Sequence, residues 1–163
     1  MIIVNESYDM MFGEELSLCG KDNIRSYISE ICRSGAKSDL YNDRSVNDNI
    51  VVFDDKMVEY LPQDKSFRME IANRIDHLCM TNDLYAYSIG KNLKRCTVDF
   101  QQPTLSAFND TMRELFFALL DTMCSNADIL PIAAVTHDDE ENRLAHFHLL
   151  YVNQTGYELV EII

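Results

Sequence analysis

Residues 129–135, ILPIAAV, are nearly all apolar. A short run without polar alternation suits a strand buried on both faces of a sheet. Pro131 lies near its start, where a missing N–H is best tolerated. A polar hexapeptide, DDEENR, follows, then a second apolar run, LAHFHLLYV, the turn residues NQTG and the segment YELVEII. This succession predicts three antiparallel strands joined as a meander.

Helical periodicity marks the rest of the chain. Leu105, Phe108, Met112, Leu115, Phe116, Leu119 and Met123 recur at steps of three and four, so 104–123 reads as a core helix. Ile24, Tyr27, Ile28 and Ile31 form a stripe over 21–33, and Phe67, Ile71, Ile75 and Leu78 form another over 66–78. His77 falls on the boundary of that last helix. The opening IIV suits an edge strand, and NIVVF at 49–53 is β-like; the polar stretch between the first helix and 49–53 reads as a loop. LYAYSIG and CTVDF read as two strands joined by GKNLKR, a solvated turn carrying the compact basic cluster Lys91, Lys94 and Arg95. The expected fold is α+β: one antiparallel sheet with helices packed on one face, in a single domain spanning residues 1–163.

Charge and cysteine usage narrow the function classes. The net charge is −13, and beyond Cys96 there are eleven acids but only two bases, Arg113 and Arg143. Such a chain is a poor direct ligand for a phosphate backbone, which rewards Lys and Arg. The excess suits solubility or a basic protein partner. The five cysteines are widely spaced without a CxxC pair, which argues against a disulfide framework or a zinc ribbon. No apolar run reaches a membrane span, and the first residues lack the basic and apolar regions of a signal peptide, so a cytoplasmic location is expected.

Three of the four histidines, His137, His146 and His148, lie within twelve residues. On a strand, the i, i+2 spacing of His146 and His148 puts both rings on one face. If 138–143 is the connecting loop, His137 lies opposite Leu144 and Val135 opposite His146. All three imidazoles then share a face and could grip one divalent metal, while Ala145, Phe147, Leu149 and Tyr151 turn the other way, toward the long helix. The alternative is three polar histidines on a solvent-facing strand side. A slip of one residue would break the arrangement.

The order VTHDDEENRLAHFHLLYVN resembles the HUH endonuclease superfamily, the relaxases and rolling-circle replication initiators. Those proteins carry a helix, a buried strand ending in His-Asp or His-Glu, a polar loop, and a strand with His-x-His followed by aliphatics. The resemblance covers roughly residues 104–160. It implies an HUH-like core in which His137, His146 and His148 hold a divalent metal, Mg²⁺ or Mn²⁺, that polarises the scissile phosphate. It also implies a tyrosine that attacks single-stranded DNA and becomes covalently linked to it. No local motif marks that residue: Tyr27 falls on an expected helix, and Tyr85 and Tyr87 form a non-helical pair.

Two functions follow. One is a metal-dependent single-stranded DNA endonuclease of the mobilisation or replication type, with Lys91, Lys94 and Arg95 guiding phosphate. The other is a non-catalytic acidic inhibitor that imitates DNA and occupies the groove of a basic nucleic-acid-binding protein, such as a CRISPR effector or a restriction enzyme. In that case Asp138, Asp139, Glu140 and Glu141 form the partner-binding patch, unless they are simply a solvated loop.

Overall fold

The computed structural model describes residues 2–4, 9–18, 21–31, 50–53, 57–60, 66–81, 92–100, 110–137 and 146–162. Among these residues, eight strands form one sheet: β1 (Ile2–Val4), β2 (Asp9–Phe12), β3 (Leu16–Ser17), β4 (Ile50–Phe53), β5 (Met57–Tyr60), β6 (Leu93–Phe100), β7 (Ile129–His137) and β8 (His146–Asn153). The helices are α1 (Lys21–Ile31), α2 (Phe67–Thr81), α3 (Asp110–Cys124) and α4 (Leu159–Ile162). The strand order is β1-β2-β6-β8-β7-β4-β5, with β3 also on β6, and every pairing is antiparallel. The fold is therefore α+β on a single antiparallel sheet. Among the described residues, no helix is long and apolar enough to cross a membrane.

The helices cover both faces of the sheet, not one. Phe116, Leu119, Leu120 and Met123 of α3 pack with Val98, Phe100, Phe147, Leu149 and Tyr151. Tyr27, Ile28 and Ile31 of α1, with Phe67, Ile71 and Leu78 of α2, pack with Ile50, Val52, Val135, Leu150 and Val152. The two sets alternate along β4 and β8, as a period-two backbone requires. The unbroken apolar character of ILPIAAV reflects this double cover, since all residues from Pro131 to His137 are buried.

β8 lies between β6 and β7, with both edges paired. YELVEII therefore has no free edge beside it and does not form the third strand of the expected meander. Gly156, at φ 79°, helps turn the chain, and Leu159–Ile162 form a short helix instead. Asn153 holds the turn: its Oδ1 accepts from the Thr155 amide at 3.0 Å, and its Nδ2 donates to the Tyr157 carbonyl at 2.8 Å. Glu161 reaches back to the Glu158 amide at 3.1 Å, as in a capping box.

A second correction concerns GKNLKR. Lys94 and Arg95 belong to β6, opposite Tyr151 and Leu150, and not to a connecting turn. Lys91, Tyr85 and Tyr87 lie outside the described residues, as does the start of the helix expected from 104. β2, β3 and β5, absent from the sequence expectation, complete the sheet.

Phe147 sits where the α3 face is best packed. It is fully buried, with its ring 5.0 Å from that of Phe116 and 5.5 Å from that of Phe100. Phe147→Ala is expected to destabilise the protein by about 3–5 kcal/mol in urea unfolding.

Candidate metal centre

The histidines converge through a register different from the expected one. His137 pairs with His146, and Val135 with His148. This is a slip of two residues from the expected pairing of Val135 with His146. An even slip keeps every side chain on its face, so the shared face survives.

A bulge in β7 sets that face. Pro131 pairs with Tyr151, but Ala133 pairs with Leu150, leaving Ile132 as the extra residue. Proline has no N–H for the ladder, and a bulge is where a sheet accommodates it. The Pro131 carbonyl accepts instead from Arg74 Nε of α2, at 3.3 Å. Beyond the bulge the phase of β7 is inverted. Ile129 packs toward α3, whereas Ala133 and Val135 pack toward α1 and α2. His137 follows them.

The rings form a compact triangle with centroids 4.8, 5.2 and 5.4 Å apart. All three are buried: His146 fully, His137 at 2% exposure and His148 at 6%. The solvent-facing alternative is thereby excluded. Each ring offers one nitrogen, and these atoms lie within 4.8 Å of one another. Nitrogens sharing one tetrahedral ion at about 2.0–2.1 Å would stand about 3.3 Å apart, so modest ring rotations suffice to close the set.

Helix α1 supports the cluster from above. His137 Nε2 lies 2.9 Å from the Ile31 carbonyl. A carbonyl only accepts, so that nitrogen carries the proton and Nδ1 presents its lone pair. Such an outer contact fixes the tautomer and orientation of a ligating histidine. The donor set, its burial and this support fit a divalent ion. The three histidines could hold one.

Tyr27 is the second contribution of α1. Its hydroxyl lies 3.3 Å from His148 Nδ1, and the two rings meet edge to face at 6.0 Å. It is the described tyrosine at the histidines. Tyr151 points to the α3 face, where its hydroxyl donates to Glu15. Burial, and then that hydrogen bond, push its ionisation well above the ordinary tyrosine range. Tyr60 is on the far strand β5, and Tyr157 follows β8 in the turn at the end away from His146.

β6 completes the floor. Thr97 pairs with His148 and Asp99 with His146, so both share the histidine face. Cys96, on the other face, is no rival nucleophile: burial first, then Glu15, Asp99 and Glu158, push its thiol up to about 12.

Sequence reasoning found the three histidines and missed Tyr27 as their partner; it also missed Asp99, which shares their face. Tyr27 was visible as one apolar position of a helical stripe and as one of several tyrosines that no motif marks. Asp99 carried a weak signal, the alternation of CTVDF. Asp138, Asp139, Glu140 and Glu141 lie outside the described residues. His77 is an exposed residue of α2 beside β4 and β5 and does not join the cluster.

No family model, curated protein or solved structure matches this chain.

Saturating Mn²⁺ or Zn²⁺ is expected to stabilise the protein, by about 2.7 kcal/mol at a free ion concentration one hundredfold above Kd. The double variant His146→Ala/His148→Ala, checked for fold by circular dichroism, is expected to lose that thermal shift.

Proposed function

We propose that this chain is a metal-dependent enzyme of HUH type that opens phosphodiester bonds in single-stranded DNA, with Tyr27 as its nucleophile. The observation that carries this reading is the Tyr27 hydroxyl, held 3.3 Å from a histidine of the buried trio by a helix distant in sequence. A three-histidine site alone would suit many chemistries. A tyrosine poised at its edge favours one that needs an oxygen nucleophile beside a Lewis acid.

The residues divide the work as follows. A divalent ion on His137, His146 and His148 would polarise a non-bridging oxygen of the scissile phosphate. Three imidazole nitrogens favour Mn²⁺ over Mg²⁺, which prefers oxygen ligands. His148 would hold the ion through Nε2, which would leave the proton on Nδ1 to be donated to the Tyr27 oxygen and so orient it. Tyr27 Oη forms a bond to phosphorus, and one ester oxygen leaves. That oxygen departs as a hydroxyl, taking up in the balance the proton lost from the tyrosine. The product is a phosphotyrosyl link that preserves the phosphodiester's energy for later rejoining.

The acidic-inhibitor reading rests on Asp138, Asp139, Glu140 and Glu141 and on the net charge. No feature of the histidine site favours it.

Incubation of single-stranded oligonucleotides of varied sequence with Mn²⁺ is expected to give a covalent adduct that survives denaturing gels, with less adduct in Mg²⁺. Tyr27→Phe is expected to abolish the adduct while leaving the metal-induced thermal shift intact. An adduct persisting in Tyr27→Phe would move the nucleophile elsewhere, and absence of any adduct in the wild type would end the nuclease reading.

A further inference from the structure

The basic cluster of the sequence is divided by the sheet. Arg95 pairs with Leu150, which packs on the α1 and α2 side, so Arg95 shares the histidine face. Its guanidinium carbon lies 5.1 Å from the centre of the Tyr27 ring. Lys94, one residue earlier, turns to the opposite face. Its ammonium donates to Ser17 Oγ at 2.6 Å, and it lines a separate cavity with Glu15 and Asn153.

Arg95 also lines an open cavity of about 340 Å³ between α1, β3 and β6. Asn23, Ser26 and Tyr27 of α1 and Ser17 of β3 supply other polar groups, and Glu30 stands at the same wall. Tyr27 thus stands between the histidines and this cavity. Its hydroxyl reaches His148 and its ring borders the cavity under Arg95.

We propose that this cavity seats the phosphodiester next to the one attacked by Tyr27, with Arg95 as its anchor. The proposal rests on the single-strand nuclease reading of the histidine site and adds a place for the flanking strand. A guanidinium resting on an aromatic ring makes that contact without using its N–H donors, which remain available for paired phosphate oxygens. The surrounding hydroxyls and amide are neutral donors suited to the same group. In a chain of net charge −13, a cation set beside the nucleophile gives a strand a local reason to bind where the overall field repels it. Glu30 opposes the phosphate and limits its affinity.

The test is binding of a fluorescein-labelled oligothymidylate by anisotropy, in EDTA, so that neither metal nor cleavage enters. Arg95→Ala is expected to weaken binding about tenfold and to lower the salt slope by about one. Arg95→Lys is expected to restore the salt slope but only part of the affinity. Arg113→Ala removes an equal charge from α3, on the other face of the sheet, where Arg113 pairs with Glu59 at 2.9 Å, and is expected to leave both quantities near the wild type. Glu30→Gln, an exposed substitution that asks little of the fold, is expected to strengthen binding severalfold.

Equal losses in Arg95→Ala and Arg113→Ala would reduce the effect to bulk charge and overturn the proposal. So would wild-type affinity in a folded Arg95→Ala, unchanged affinity in Glu30→Gln, or no binding by the wild-type protein. If the Arg95 and Glu30 effects appear but no covalent adduct forms with Mn²⁺, the cavity assignment stands and the nuclease reading fails.

Discussion

One residue of phase governs the site. Between Pro131 and Ala133 the β7 ladder takes in an extra residue, Ile132. An uninterrupted ladder would carry His137 to the α3 face, with Ile129. The bulge sends it to the α1 face, where His146 and His148 already stand. A proline that cannot donate to the ladder thus does more than interrupt it. It inverts the side-chain alternation of the next half strand, and three rings meet because of that inversion.

The central strand β8 then serves both layers. Phe147, Leu149 and Tyr151 face α3 and anchor it, with Tyr151 and Asn153 both bound to Glu15. His146 and His148 face the other way, and Leu150 and Val152 continue their side as apolar core. The histidines thus stand together at one end of one face of β8. The apolar positions of both faces supply rigidity, which a site built from three side chains needs to keep its geometry.

Much of this was legible in the sequence. Apolar periodicity located α1, α2 and the body of α3, because a helix buries a stripe that recurs every three to four residues. The i, i+2 histidines fixed their own common face. The third histidine was placed on that face through a register two residues off, and an even error is harmless to facing. The extra residue in β7 could not be read, since ILPIAAV is apolar at every phase and gives no alternation to interrupt. The expectation of one covered face conflicted with that same run, whose lack of polar positions already called for cover on both sides. YELVEII misled because its apolar residues suit a strand, while the absence of a free edge on β8 is a property of the whole sheet. Arg95 was legible as part of a basic cluster, but its contact with Tyr27, like that of Tyr27 with His148, gave no local signal because each joins segments far apart in sequence.

That separation has a consequence for how the protein assembles. The three histidines lie within twelve residues of one hairpin, and the loop that brings them together is short. Tyr27 reaches His148 across 121 positions of chain, and Ile31 reaches His137 across 106. Closing such long loops costs more entropy and sets a slower step. On these grounds the hairpin is expected to gather its three rings before α1 docks, and the docking of α1 then adds the tyrosine to them.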